Sequence, residues 1–313
     1  IRPGRPGPAG TVGGMAITDP TDTPGGTPAA SGVGPAPLPE SAGEKWEHAR
    51  GDARGRAGED GWERVVPGVL RRRLPGWDAT VGLVLGPTEA TLVDTGSTPA
   101  EGAALRRSAE RLAGVPVRHV LITHPHFDHL LGLGGLPDTV PLAAAGTRAM
   151  LSGGLPEEIV ADAVRHGLDP ASARAGGEAL TAGGWEWREV PPPGCSEPAP
   201  SLTLPVGASP AGRRVLAVAL GPAHTGHDLA LLVTGAPGIP PVVFCGDVVE
   251  ESGEPQAGPD AHPAGWPGAI DRLLRLGGGE ARYVPGHGAV VDAPFLRAQR
   301  AALVERFDPT GAG

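Results

Sequence analysis

The sequence predicts an α/β fold in which two β-sheets pack face to face and helices cover their outer surfaces. Three observations carry this expectation. Short apolar runs of strand length fall in two clusters, before and after the middle of the chain. Gly and Pro punctuate the runs, so closely among the first three that these are expected to pair antiparallel. Single segments with helical spacing interrupt or follow each cluster.

Ile1 to Gly43 stands apart from this pattern, with ten Gly, nine Pro and few large apolar side chains. Burial there cannot repay the entropy of ordering the chain, so a disordered leader is expected over residues 1–43. Met15 opens an alternative start, an expectation that N-terminal sequencing of the natively expressed protein would overturn by finding residues before it. A charged transition covers 44–62, and the folded domain is expected over 63–313.

Within that domain "ERVVPGVLRRRLP", "TVGLVLG" and "EATLVDTG" read as three strands. Pro99 to Val115 reads as a helix, with Pro near its start, Leu105, Ala109 and Leu112 at helical spacing, and Gly114 near its end. Val117 to Thr123 is a buried strand followed directly by a loop, "HPHFDH". A helix around "PEEIVADAVRHGL" and a strand around "WEWREV" occupy the middle section. "RRVLAVAL", "DLALLVTG" and "PVVFCGD" give three more strands, then a helix from about Ala264 to Leu276, a short strand "ARYVPGHG", and a closing helix from Ala293 to Phe307. No repeat at solenoid periods is present.

Composition narrows the function. Gly and Pro make 88 of 313 residues, an excess assigned to loops and to a Gly/Ala/Pro-favouring coding bias because the apolar runs are regular. The net charge of -9 argues against nucleic-acid partners, since phosphate backbones are held by clustered Lys and Arg and the one basic run, Arg71 to Arg73, suits a solvated strand end. No apolar run approaches the roughly 18 residues of a membrane helix. Two cysteines, Cys195 and Cys245, are too few for a disulfide framework, and a cytoplasmic protein acting on a small molecule is expected.

Chemistry concentrates at strand ends. "LITHPHFDHLLGL" places His124, His126, Asp128 and His129 after one strand, while His224, Asp247 and His287 each follow another apolar run. Imidazole and carboxylate donors suit zinc, iron or manganese. His124 and His126, two residues apart, can face one ion, and Asp128 and His129 project around the next bend toward a second. His224 can complete the first set and His287 the second, with Asp247 able to offer a carboxylate oxygen to each.

In order along the chain, "LVDTG" with Asp94, "THPHFDH", "AHTGHD", "FCGD" and "PGHG" resemble the motifs of the metallo-beta-lactamase fold superfamily of metallohydrolases. The resemblance covers roughly Glu63 to Phe307. It implies a four-layer αββα sandwich with the metals at one edge between the sheets, and Asp94 behind the ligands, orienting metal-binding imidazoles. Class B beta-lactamases carry Cys or Ser where Asp247 stands, so the resemblance points to the glyoxalase II, lactonase and phosphodiesterase branches. Glyoxalase II carries a C-terminal helical domain for its glutathione thioester, and with 26 residues after His287 that particular substrate is not the one expected. The RNA-processing branch carries basic modules not seen here, and a flavodiiron oxidoreductase has Glu where His126 stands.

The expected activity is hydrolysis of a small ester, thioester, lactone or related substrate. Two zinc ions, about 3.5–4 Å apart in such sites, would supply a hydroxide as nucleophile and stabilise the charge that attack creates. Asp128 and His227 are the candidate catalytic side chains, Asp128 as proton acceptor and His227 as a substrate-contacting or proton-transferring group. The alternatives are a mononuclear-iron persulfide dioxygenase, a phosphodiesterase, or a metal-bearing module without turnover. Asp228 is read as bracing the His224 loop, Cys245 and His119 as core or edge residues, and His48 and His166 as surface. In the Pro/Gly-rich segment Glu250 to Gly268, His262 and Trp266 are candidates for the substrate entrance or for a helix cap.

Overall fold

A computed structural model of the protein describes residues 61–193, 201–203 and 214–307. The predicted leader, most of the charged transition, Met15, His48 and Cys195 lie outside the described residues. The first apolar run does not form one strand. Pro67 and Gly68 break it into β1 (Glu63–Val66) and β2 (Val69–Arg73), because Gly68 turns the chain back at φ +78°. Antiparallel pairing continues through β3 (Thr80–Leu85) and β4 (Ala90–Val93), as the short connections require.

Beyond β4 the connections lengthen and the pairing becomes parallel. Helix α1 (Pro99–Ala113) crosses to β5 (Val117–Leu121), which pairs with β6 (Val140–Ala144) and then β7 (Arg188–Val190). Thr98 caps α1 by accepting the Glu101 N–H, Pro99 occupies its first turn, and Gly114 ends it in the left-handed conformation. These seven strands form one sheet in sequence order. The second sheet has the order β12-β11-β10-β9-β8, from β8 (Ser201–Thr203), β9 (Val215–Ala219), β10 (Leu229–Val233), β11 (Val242–Glu250) and β12 (Arg282–His287). Its pairs are antiparallel except β11 with β12, which the intervening helix makes parallel.

Side-chain alternation explains the layers. On β10, Leu229, Leu231 and Val233 face the first sheet while Ala230 and Leu232 face outward; on β3 and β4, Val84 and Val93 point inward and Leu83 and Leu92 outward. The result is three apolar strata. The middle one lies between the sheets and holds Val84, Val93, Leu121, Leu231, Phe244 and Val284. The outer face of the first sheet packs on α1, α2 (Phe127–Leu130), α3 (Thr147–Ser152), α4 (Leu155–Arg165) and α5 (Pro170–Ala182) through Leu105, Leu130, Leu151, Ile159 and Leu180. The outer face of the second packs on α6 (Trp266–Gly277) and α7 (Ala293–Phe307) through Ile270, Leu273, Leu296 and Leu303. Each fully buried Leu, Ile or Phe contributes about 1.5–3 kcal/mol of hydrophobic free energy, so both sheets need two covered faces. This is the four-layer αββα arrangement.

Several local expectations need correction. Trp62, at the end of the charged transition, is buried and donates its indole N–H to Ser108 Oγ at 2.8 Å. The loop after β5 contains a helical turn, α2, continued by a 3-10 turn over Leu131–Gly135. Strand β6 and helices α3 and α5 have no counterpart in the sequence reading, and the "WEWREV" strand shrinks to β7. Cys245 lies in the outer core of the second sheet, on the face opposite its neighbour Phe244 and without a disulfide partner among the described residues. Among the described residues no helix is long and apolar enough to cross a membrane.

Candidate metal centre

The parallel strands of the first sheet end at one edge, and their following residues carry the chemistry. Asp94 follows β4 and the "THPHFDH" segment follows β5. From the second sheet, His224 lies in the β9–β10 connection and His287 ends β12. Asp247 does not end its strand, since β11 runs on to Glu250. It sits where the β11–β12 register slips, between Gly246↔Pro285 and Glu250↔His287, and such a bulge re-aims a side chain. Gly286 makes room for it, because a Cβ there would stand 1.7 Å from Asp247 Oδ1.

Two groups result. His124, His126, His224 and Asp247 each offer one donor atom, and these atoms lie within 4.8 Å of one another; Asp128, His129 and His287 do the same beside them. In the first group His224 Nε2 is 3.0 Å from His126 Nδ1 and 3.5 Å from Asp247 Oδ2, with His124 Nε2 3.6 Å from the same oxygen. In the second, His287 Nε2 is 3.4 Å from both His129 Nε2 and Asp128 Oδ2. Asp247 reaches across, with Oδ2 3.2 Å from His287 Nε2 and Oδ1 3.3 Å from His129 Nε2. Tetrahedral zinc with bonds of about 2.0–2.1 Å separates its ligand atoms by roughly 3.3 Å, so these spacings fit such an ion.

The outward nitrogens decide the tautomers. His129 Nδ1 donates to Asp94 Oδ2 at 2.9 Å, His287 Nδ1 to the Trp77 carbonyl at 2.8 Å, and His224 Nδ1 to the Gln256 carbonyl at 3.0 Å. Asp94 also accepts the N–H and hydroxyl of Thr123, both at 2.8 Å, leaving the Thr123 oxygen to accept from His124 Nδ1 at 3.0 Å. His126 is inverted, its Nε2 donating to Asp260 Oδ2 at 3.1 Å. Each ring therefore spends one N–H away from the centre and turns its other nitrogen toward it, as a ligand imidazole must. Among the described residues, His124 Nε2 and Asp247 Oδ1 are buried without a hydrogen-bond partner, an arrangement that a cation relieves.

Protonation follows from burial against charge. Burial holds His124 well below its ordinary value and lowers His224 to about 4. Burial also disfavours the His129 and His287 cations, but the carboxylates around them prevail, led by Asp247, and raise the two to about 10 and about 9. Asp247 itself is held well below the carboxylate range, because the His129, His124 and His287 imidazoles outweigh its desolvation.

The remaining candidates separate. His227 is half-buried outside both groups, its ring against Gly146 and its backbone N–H donating to Thr225 Oγ at 3.0 Å. Asp228 braces the loop by accepting the Ala223 and Thr225 N–H groups and the Thr225 hydroxyl. Trp266 does not line an entrance: it is fully buried at the start of α6, edge-on to His224, with its indole N–H donating to the Val248 carbonyl. His262 is exposed and makes no side-chain cap for the following helix turn. His119 is buried on β5, between β4 and β6, with Nε2 3.2 Å from Glu89, and His166 is exposed and stacks on Phe127. Thr123, Asp260 and the carbonyls of Trp77 and Gln256 escaped the sequence reading. Thr123 had a signal, since it stands next to His124; Asp260, 134 residues from His126, had none.

Comparison with known proteins agrees with this geometry. Residues 74–287 match the sequence model of the metallo-beta-lactamase superfamily. No curated protein matches the chain in sequence. Among solved structures, the metallo-beta-lactamase DIM-1 superposes with a TM-score of 0.55 at 17% identity, over 78% of this chain and 97% of that one. DIM-1 exposed to ceftazidime gives 0.54 at 16%, over 78% and 96%. VMB-1 at pH 5.5 gives 0.53 at 19%, over 78% and 96%. At these identities the likeness concerns the fold.

Proposed function

The chain belongs to the metallo-beta-lactamase superfamily, a family of metallohydrolases, and we propose that it is a dinuclear zinc hydrolase of a small ester, thioester, lactone or related substrate. One observation carries the reading: five imidazole nitrogens and two carboxylates converge in adjoining groups that share Asp247. His124, His126, His224 and Asp247 would hold one ion, and Asp128, His129, His287 and Asp247 the other. Bound there, the ions supply an ionised water as nucleophile at neutral pH and stabilise the charge that develops on the substrate oxygen.

The chain's own groups do the rest. Asp94 fixes the His129 ring directly and the His124 ring through Thr123, so both present Nε2 inward. Asp128 keeps a carboxylate oxygen available to accept the proton of the attacking water. His227, half-buried and outside both groups, is proposed to contact substrate or return a proton to the leaving group. Asp247, where class B beta-lactamases carry Cys or Ser, favours the glyoxalase II and lactonase-like branches. A cytoplasmic, small-molecule role agrees with the acidic charge of -9.

The test is elemental analysis of the purified protein together with turnover of chromogenic esters, thioesters, lactones and phosphodiesters. Two zinc ions per chain and one preferred acyl class are expected. Metal-free protein that turns over at full rate, or zinc-loaded protein inert toward every acyl substrate, would overturn the proposal.

A further inference from the structure

The two groups differ in what stands behind them. In the second group, His129 rests on Asp94 at the end of β4, and His287 on Trp77 of the β2–β3 turn, whose Ala79 pairs with His287 as an isolated bridge. In the first, only His124 leans on the sheet, through Thr123 and Asp94. The other two imidazoles lean on the segment between β11 and α6: His224 Nδ1 donates to the Gln256 carbonyl and His126 Nε2 to Asp260 Oδ2. That segment is tied back by the Gln256 N–H on Glu250 Oε2, the His262 N–H on the Ala223 carbonyl, and Arg306 Nη1 on the Pro255 carbonyl.

Among the described residues, Asp260 alone accepts from the Nε2 of a ligand ring. Four of the five rings donate from Nδ1 and turn Nε2 inward; His126 donates from Nε2 and turns Nδ1 inward, 3.0 Å from His224 Nε2. A carboxylate at Nε2 selects that tautomer and raises the basicity of Nδ1. Without it, nothing else hydrogen-bonded to His126 Nε2 among the described residues would do so.

We infer that Asp260 is a positioning residue for one ion of the pair: it holds His126 in the Nε2–H form, so the segment Pro255–His262 sets the affinity of the first group and leaves the second alone. This rests on the dinuclear reading above and assigns the segment a part in metal retention. Removing an outer carboxylate partner typically costs a ligand set 10–100-fold in metal affinity. The Asp260 side chain is half-exposed, at 50%, so water replaces part of its hydrogen bond and the lower figure, about tenfold, is expected.

Zinc affinities read by competition with a chromophoric chelator test this in the full-length chain. Wild type should take up two ions, and Asp260→Ala should weaken one by about tenfold while the other is unchanged. Asp260→Asn, which keeps a carbonyl acceptor for the Nε2 proton, should fall between them. In a His129→Ala background, where only the first group is complete, Asp260→Ala should weaken the remaining ion by the same factor. Equal weakening of both ions, no weakening of either, or Asp260→Asn as weak as the alanine variant would overturn the inference. Wild type that takes up no zinc would overturn the hydrolase reading as well, so the two failures are distinguishable.

Discussion

Asp94 is the residue whose replacement says most about the centre. Its carboxylate is 2% exposed and accepts three hydrogen bonds, from the Thr123 N–H, the Thr123 hydroxyl and His129 Nδ1. Its backbone sits at φ +62°, where Asp and Asn are tolerated and Ala is strained by about 1–2 kcal/mol. Asp94→Ala leaves two donors that cannot turn away, the Thr123 amide and the His129 ring, at about 1–3 kcal/mol each. Burial raises the Asp94 carboxyl above its ordinary range, so part of that cost is recovered when the charge is removed. The expected loss for Asp94→Ala is therefore about 3 kcal/mol, a large share of a domain's usual 5–15 kcal/mol. Asp94→Asn keeps the backbone and one oxygen, and its amide opposes a single donor, so about 1–2 kcal/mol is expected. Urea unfolding of the chelator-treated proteins measures both, since these bonds need no metal. An alanine variant within 0.5 kcal/mol of wild type, on the order of an ordinary surface substitution, or an asparagine variant no better than alanine, would refute the reasoning.

The remaining predictions concern ligands, protons and packing. His126→Ala should abolish hydrolysis and lose one ion, read by elemental analysis beside turnover. His227→Gln should leave zinc content unchanged and lower kcat by about 10²–10⁴ if the ring transfers a proton; an unchanged kcat would remove it from the chemistry. In metal-free protein the folded His129 and His287 titrate at about 10 and about 9, above their unfolded value near 6.5. Their stabilisation is thus complete below about pH 6.5 and is lost as pH rises toward 9–10, so the urea midpoint should fall over that window. Zinc must displace the same two protons at neutral pH, and calorimetry in buffers of different ionisation enthalpy should detect their release. Gly286→Ala places a methyl 1.7 Å from Asp247 Oδ1, which must move. A stability loss of about 1–3 kcal/mol with impaired zinc uptake is expected, by unfolding and chelator competition.

The sequence made some of this legible for identifiable reasons. Strands such as β10 and the start of β11 are unbroken apolar runs between turn residues, and α7 appears over its predicted bounds. Strand β6, "VPLAA", carries Pro and Ala in place of branched residues and has no alternation, because it is buried on both faces. Helix α5, "PASARAGGEALTA", is so rich in Gly and Ala that no apolar stripe stands out, although Gly176 and Gly177 let it approach Leu131 and Val160 closely. The histidines after β5 were readable because four chemically telling residues share one short segment. Their outer partners were not: the bonds from His287 to Trp77 and from His126 to Asp260 span 210 and 134 residues, and a backbone carbonyl carries no residue signature.

The sharing of ligands between the sheets has a kinetic consequence. His124, His126, Asp128 and His129 follow a strand of the first sheet, and His224, Asp247 and His287 belong to the second, so each group draws on both. An ion in either place cannot be gripped until the sheets have closed over the middle core, after the slowest long-range contacts have formed. It is then a latch that the two halves must release before they separate. Zinc should accordingly slow unfolding and leave the folding rate nearly unchanged, because contacts absent from the transition state act on the unfolding limb. The lifetime of the folded chain would be set at the same atoms that take up the metal.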